Sequence, residues 1–298
     1  MNISPADTLV AAVAGDRLAL ARSLTLYESG ELDDDDLGAV SGVAQLPSTH
    51  DFPVLGITGA PGVGKSCIID HIVQAWSAAG HRVAVIAVDP TSPITGGALL
   101  GDRLRMSTAD SADNIYFRSI ATRRHSGSVP SVVKGMLIIL RAAGWNRCIV
   151  ETVGAGQGEI RVAAVADRIV LLEAPGRGDG VQAEKAGLVE LADLIVVNKA
   201  DMAGAEKTAD EIRQALEVAT IPTPTIILAS ATTGDGIDDM LLSIESLEFN
   251  PHTARARARE GLRALWEQEL LDHEEFDDLL DEVVAGNLSV EAALGKMR

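Results

Sequence analysis

Cysteine is scarce in this chain, with only Cys67 and Cys148 among 298 residues. Two cysteines indicate no disulfide framework of the kind that stabilises small secreted proteins. The first 21 residues lack the basic segment that opens a signal peptide, and Asp16 and Arg17 interrupt their apolar residues. Neither a signal peptide nor a membrane span is therefore predicted, and a reducing, cytoplasmic location is expected.

Positive charge is also scarce, since 25 basic residues stand against 43 acidic ones and give a formal charge of −18. A nucleic-acid surface is not expected, because phosphate binding needs a positive field. The acidic excess fits either general solubility or a basic partner. The hydrophobic fraction of 47% is ample for the core of one large domain, with or without appendages.

A glycine-rich motif lies near residue 60. Residues 59–66, Gly-Ala-Pro-Gly-Val-Gly-Lys-Ser, match the phosphate-binding pattern G-x-x-x-x-G-K-[ST]. An apolar run precedes the motif and helical apolar spacing follows it, so the loop joins a predicted buried strand to a predicted helix. Backbone N–H groups would hold the α- and β-phosphates at the positive end of that helix, with Lys65 on the β/γ-phosphates and Ser66 on Mg²⁺. The predicted nucleotide contacts here are Gly62, Val63, Gly64, Lys65, Ser66 and Cys67.

Acidic residues end two further predicted strands. Asp89 closes the β-rich run 82–89, and the carboxyl ends of strands are where open α/β sheets bind ligands. Asp89 is a candidate for Mg²⁺ or its water, or alternatively caps the turn that follows. Glu151 ends another apolar run, with Gly154 close behind it. In phosphate-loop enzymes such a carboxylate acts on Mg²⁺ or its water, while the glycine N–H senses the γ-phosphate.

Two glycine-rich segments have the composition of mobile loops. Residues 95–106 carry Asp102 and two arginines, groups suited to Mg²⁺ and phosphate, so this segment is either a nucleotide-sensing switch or an ordinary loop. Residues 175–182 contain three glycines and form either a switch facing a partner or a connector.

A base-recognition motif follows the apolar run 194–197. Asn198-Lys199-Ala200-Asp201 matches N-K-x-D, in which the carboxylate accepts from N1–H and from the exocyclic amine of guanine. Adenine cannot satisfy those groups, so the motif favours GTP over ATP. Ser230 and Ala231, at the end of the last predicted strand, are similar to the serine-alanine motif that supports the base. The sequence therefore predicts guanine recognition by Asn198, Lys199, Asp201, Ser230 and Ala231.

The two ends of the chain have helical character. An N-cap at Ser4 and Pro5 at the first helical position predict one amphipathic helix that ends near Gly30. The acidic run 31–36 fits a solvated turn or helix start better than a metal site. Apolar residues at helical spacing beyond 251 fit either packing on the domain or a dimerisation arm, with Gly286 as a C′ residue. The predicted organisation is a helical extension at 1–50, a nucleotide domain at 51–250 and a helical arm at 251–298.

The motifs, taken in order, resemble the MeaB/ArgK family of G proteins. The resemblance covers most of the chain, and the ordered series is far more specific than any one motif. Besides the phosphate loop, it rests on Asp89-Pro90-Thr91-Ser92, Thr95-Gly96-Gly97, Gly101-Asp102-Arg103, Glu151-Thr152-Val153-Gly154-Ala155-Gly156-Gln157, Ala174-Pro175-Gly176-Arg177-Gly178-Asp179 and Asn198-Lys199-Ala200-Asp201.

The resemblance implies an α/β P-loop GTPase of the SIMIBI class, with a mostly parallel sheet flanked by helices and with helical extensions at both ends. It implies GTP or GDP and Mg²⁺ as ligands and a homodimer built with the C-terminal helices. The implied partner is an adenosylcobalamin-dependent acyl-CoA mutase, such as methylmalonyl-CoA mutase, for which GTP hydrolysis gates cofactor delivery and removal. Carried over to this sequence, the catalytic residues are Lys65, Asp89, Asp102 and Glu151, and the metal ligands are Ser66, Asp89, Asp102 and Glu151.

The chain departs from the family pattern in its loops. Cys67 stands where the family usually has Thr, Gly180 replaces a usual acid, and residues 123–126 replace a stretch containing Ser-Arg-Gly. Because loops contact partners, the last two departures concern which mutase the protein serves. The resemblance also implies that loop 176–185 is the switch through which the protein senses the mutase.

Two other functions compete with a mutase chaperone. A transport-associated kinase needs a phosphoacceptor site, and the sequence contains no recognisable one. A nickel-type metallochaperone, similar in fold, needs a His/Cys cluster. The histidines are instead scattered, at His50, His71, His81, His125, His252 and His273.

Overall fold

The structure is a computed structural model of the chain. It describes residues 4–39, 54–90, 113–122, 132–152, 162–176, 183–218, 224–248, 250–271 and 273–297. All structural statements below concern these residues.

A parallel sheet forms the centre of the molecule. Its seven strands, within the described ranges, lie in the order β3-β2-β4-β1-β5-β6-β7, and each neighbouring pair is parallel. This arrangement confirms the predicted α/β class with a parallel sheet. The strands are β1 (Val54–Thr58), β2 (Val83–Pro90), β3 (Ile115–Thr122), β4 (Arg147–Thr152), β5 (Arg168–Glu173), β6 (Leu194–Val197) and β7 (Thr225–Leu228).

Helices cover both faces of the sheet, which is why its strands are nearly continuous apolar runs. On one face, Ile68, Ile69 and Ile72 of the helix after the phosphate loop are fully buried. The helices are α1 (Pro5–Val13), α2 (Arg17–Ser29), α3 (Asp34–Ala39), α4 (Lys65–Ala78), α5 (Val132–Ala142), α6 (Ala183–Leu191), α7 (Ala205–Val218), α8 (Ile237–Glu245), α9 (Pro251–Leu271), α10 (Phe276–Val284) and α11 (Val290–Lys296).

The amino-terminal segment forms two helices, so the prediction of one helix from Ser4 to Gly30 is wrong. Gly15 has a φ of 102°, which a right-handed helix does not allow, and the Asp16 side chain caps the next helix by accepting from two backbone N–H groups. The predicted cap at Ser4 and the left-handed Gly30 at the carboxyl end are confirmed. The acidic run leads into α3, as a helix start.

The amino-terminal helices pack on the sheet face that also carries α5. Leu20 and Leu24 of α2 share one buried cluster with Met136 of α5. A Cβ on Gly135 would lie 2.0 Å from the Tyr27 ring, so the absence of a side chain there lets α2 and α5 approach closely. Burial, followed by the hydrogen bond to Asp34, raises the pKa of Tyr27, which keeps the phenol neutral as a donor.

The first half of α9 is fixed to the domain by a buried ion pair. Arg257 Nη1 lies 2.8 Å from Asp193 Oδ2, and both side chains are buried. Asp193 also accepts from the Thr253 hydroxyl and from the backbone N–H of Ile169, so its oxygens have several donors.

Within the described ranges, no helix combines the length and the apolar character that a membrane span requires.

Candidate functional site

The predicted phosphate loop lies at the carboxyl edge of the sheet, directly after the central strand β1. β1 leads to β2 on one side of the sheet, whereas its neighbour β5 leads to β6 on the other side, so the chain connections diverge at this point. Such a switch point opens a crevice in which α/β proteins bind ligands. The position agrees with a nucleotide site at the start of α4.

Glycine is required at the first position of the phosphate loop. Gly59 has a φ of 142°, and a Cβ there would lie 2.2 Å from the Leu172 carbonyl oxygen. The loop leads into α4, which begins at Lys65. Lys65 Nζ donates to the carbonyl oxygens of Gly59 and Ala60, at 2.7 Å and 3.3 Å. The ammonium group is therefore held within the loop, at the amino end of a helix whose dipole favours phosphate.

The base motif contacts the phosphate loop directly. Asn198 Nδ2 donates to the Val63 carbonyl oxygen at 2.8 Å, and Lys199 Nζ donates to that of Gly62 at 2.8 Å. A Cβ on Gly64 would lie 2.3 Å from Asn198 Nδ2, so only glycine leaves room for this amide. These contacts join two motifs that lie about 135 residues apart in the sequence.

The side chains predicted to bind guanine lie together at the ends of β6 and β7. Ser230 Oγ donates to Asp201 Oδ1 at 2.5 Å, and the Ala231 backbone N–H donates to Asn198 Oδ1 at 3.1 Å. Ser230 Oγ also accepts from the Thr233 N–H at 3.2 Å, which closes the turn that follows. The structure thus brings together Asn198, Lys199, Asp201, Ser230 and Ala231, beside the phosphate loop.

Two of the predicted metal ligands approach each other. Ser66 Oγ lies 3.4 Å from Glu151 Oε1, and Glu151 is buried at the end of β4. A hydroxyl and a carboxylate are oxygen donors of the kind that Mg²⁺ prefers, so this pair fits that ion. Behind it, Thr152 Oγ1 donates to Thr58 Oγ1 at 3.1 Å and ties the end of β4 to the end of β1.

The remaining predicted acids are described only in part. Asp89 lies at the carboxyl end of β2, two residues beyond Ala87, which pairs with Glu151. Its side chain lies outside the described part of the chain, and so do Asp102 and Gly154. Among the described residues, no group of three or more His, Cys, Asp or Glu could hold a metal ion.

The two cysteines differ in environment. Cys67 is exposed on α4 beside Ser66, whereas Cys148 is buried in β4. Burial raises the pKa of the Cys148 thiol to about 12, so this group stays protonated at neutral pH and has a packing role.

Sequence reasoning missed two side chains at this site. The sequence patterns mark Thr58 only as part of a predicted strand, and His71 only as one of six scattered histidines. His71 Nε2 lies 2.9 Å from the Ala231 carbonyl oxygen, across 160 residues of sequence. No local pattern marks such a contact, because it depends on how α4 lies against the loop after β7.

The chain is similar to known GTPases over most of its length. The family described as Methylmalonyl Co-A mutase-associated GTPase MeaB matches residues 20–287. A putative GTPase of Caulobacter vibrioides is 40% identical over 264 residues, 85% of this chain and 81% of the relative. The GTPase ArgK of Escherichia coli is 35% identical over 285 residues, 88% of this chain and 85% of the relative.

A solved structure has the same architecture. The crystal structure of an LAO/AO transport system kinase superposes with a TM-score of 0.67 at 27% identity, covering 100% of this chain and 97% of that chain. The family match and these relatives agree with the phosphate loop and the guanine motif found above. The chain therefore belongs to the MeaB family and is a GTPase that binds guanine nucleotides.

Proposed function

We propose that this GTPase is a switch that gates the loading of adenosylcobalamin into an acyl-CoA mutase and protects the loaded enzyme. The observation that carries the proposal is the match of residues 20–287 to the mutase-associated GTPase family. The direct hydrogen bonding of the base motif to the phosphate loop supports its dependence on a guanine nucleotide. Methylmalonyl-CoA mutase, or a related carbon-skeleton mutase, is the proposed partner.

In the proposed site, each group has a distinct task. Lys65 leaves the loop carbonyls to contact the β- and γ-phosphates, and Asp201 accepts from the guanine edge. Ser66 and Glu151 would hold Mg²⁺, and Asp89 and Asp102 are proposed as further acids for it. When bound, the ion would supply positive charge that offsets the charge developing on the phosphates.

Hydrolysis by the isolated protein is expected to be slow. Phosphoryl transfer depends on positioning the attacking water and on stabilising the developing charge. The sequence assigns no Gln or Arg to that task. A partner that completes the site would therefore couple the nucleotide state to its own loading.

The proposal predicts that a cobalamin-dependent acyl-CoA mutase stimulates GTP hydrolysis. Mixing the two proteins is expected to raise kcat by roughly tenfold or more, because completing a phosphoryl-transfer site raises rates by orders of magnitude. Phosphate release measures the rate, and analytical ultracentrifugation measures the complex. A Lys65→Ala variant mixed with the same mutase is the control for contaminating GTPase activity. If no such mutase forms a complex or changes the rate, the chaperone role is wrong while the GTPase assignment stands.

We also propose that the protein is a homodimer built with its carboxyl-terminal helices. The support is a set of exposed apolar side chains, here called the C-terminal apolar surface: Leu262, Leu265, Trp266, Leu280, Val284 and Val290. Trp266, Leu280 and Val290 of this surface also line an apolar groove of about 470 Å³ between α9, α10 and α11. An exposed apolar groove of this kind is typical of an interface.

The dimer proposal predicts that Leu262→Asp weakens self-association. The substitution removes apolar area that the dimer would bury, and the new carboxylate would have to lose its water on association. The dimer Kd is therefore expected to rise by roughly 10- to 100-fold. Leu242→Asp on α8 is the matched control, because both leucines are 70% exposed. Sedimentation velocity over a concentration series measures the equilibrium. Equal behaviour of the two variants would show that this surface is not the interface.

A further inference from the structure

One histidine connects the phosphate-binding helix to the base-binding loop. His71 lies on α4, whose first residue is Lys65, and it is half-buried. Its Nε2 is 2.9 Å from the Ala231 carbonyl oxygen. A carbonyl oxygen can only accept, so Nε2 carries the hydrogen and donates. The contact therefore joins the two parts of the site in addition to the hydrogen bond that Asn198 makes.

Both backbone groups of Ala231, its N–H and its carbonyl, are held by side chains. Its N–H donates to Asn198 Oδ1 at 3.1 Å, and Asn198 Nδ2 donates in turn to the Val63 carbonyl oxygen at 2.8 Å. His71 holds the carbonyl of the same residue. These contacts and the covalent path from Val63 into α4 form a closed ring, which fixes the distance between the base loop and the phosphate loop.

We propose that His71 is a positioning residue for guanine recognition: it holds the Ala231 carbonyl, and with it the loop that carries Ser230 beside Asp201, in the geometry that receives the base. The inference rests on the proposed base site. Ser230 transmits the effect, because it is adjacent to Ala231 and donates to Asp201 Oδ1. Fixing polar groups before the ligand arrives lowers the ordering cost of binding.

The experiment compares His71→Phe with His71→Gln. Phenylalanine keeps a planar ring but cannot donate, whereas the amide of glutamine reaches a position similar to that of Nε2 and does donate. Loss of one hydrogen bond is expected to raise the Kd for GDP roughly fivefold in His71→Phe. His71→Gln is expected to stay within about twofold of the wild type, on the same scale.

A probe without a base separates this role from a general disturbance of α4. Inorganic pyrophosphate occupies only the phosphate loop, so its Kd, measured by displacement of fluorescent GDP, is expected to be unchanged in His71→Phe. Gln74→Ala is the control on the same helix, because Gln74 is exposed and its amide donates to Asp70. Circular dichroism and thermal melting check the fold of each variant.

The outcomes are distinct. An unchanged GDP affinity in His71→Phe, an equal loss of GDP and pyrophosphate binding, or a failure of His71→Gln to restore affinity would overturn the inference. A wild-type protein that binds GDP and ADP equally would instead show that the base site itself is misassigned. A selective loss of GDP affinity that glutamine restores would establish His71 as the positioning residue.

Discussion

Replacing Lys65 by Ala is expected to weaken GDP and GTP binding by roughly 10²- to 10⁴-fold. Each hydrogen bond to a charged group contributes about 1.5–3 kcal/mol, and the ammonium contacts two phosphates in the proposed complex. In the described structure, Lys65 is buried and donates to the carbonyl oxygens of Gly59 and Ala60, at 2.7 Å and 3.3 Å. The loop therefore already holds the Lys65 ammonium group close to the position in which it would contact the phosphates.

The measurement is titration with a fluorescent GDP analogue, with the unfolding temperature as a check that the variant folds. Lys207→Ala is the matched control, since it removes the same group from α7, where the side chain is 82% exposed and pairs with Glu211 one turn along the same helix. Salt screens such a surface pair, so its loss is expected to leave affinity unchanged. A Lys65→Ala variant that binds GDP within about threefold of the wild type would contradict the phosphate-loop assignment.

The sheet could be predicted from the sequence because parallel strands covered on both faces leave a simple signal. Strands such as 194–197, with four consecutive buried residues, are apolar at every position, and turn residues bound them. The order of the strands could not be predicted. Strand order depends on the path of the connection between successive strands, and the residues of a buried apolar strand do not indicate which strands pair with it.

The amino-terminal break shows a different limit of sequence reasoning. The apolar spacing through residues 5–29 is helical almost throughout, and a single glycine is tolerated in a helix at a cost of about 1 kcal/mol. The chain breaks at Gly15 because Asp16 caps a second helix and both helices then pack on the sheet. Tertiary packing decided between two locally acceptable conformations.

At the site, the sequence indicates which residues belong to the motifs but not how the motifs touch. The motif patterns place Lys65 on phosphate and Asp201 on guanine by residue type and spacing. They contain no information on Asn198 reaching Val63, or on His71 reaching Ala231, since these contacts span 135 and 160 residues. The sequence of α9 likewise does not indicate which part of the helix contacts the domain. In the structure, the Arg257–Asp193 ion pair fixes its first half, while Leu262 and Trp266 remain exposed.

Replacing Asp201 by Asn is expected to shift binding from guanine to xanthine nucleotides. The carboxylate accepts from two N–H groups of guanine, and an amide presents a donor toward the exocyclic amine instead. Two lost hydrogen bonds to a charged group correspond to a rise in the GDP Kd of roughly 10²- to 10⁴-fold. Xanthine carries a carbonyl oxygen in place of that amine, so the Asn amide can donate to it.

The local geometry explains why the exchange is expected to leave the loop intact. Ser230 Oγ donates to Asp201 Oδ1, and the oxygen of an asparagine can accept the same hydrogen bond. Competition of GDP and XDP against a fluorescent nucleotide measures the change in preference. Asp210→Asn is the matched control, because Asp210 is exposed on α7 and pairs with Arg213 on the same helix. If Asp201→Asn keeps the wild-type preference for GDP over XDP, Asp201 does not contact the base, and the guanine site lies elsewhere at the carboxyl edge of the sheet.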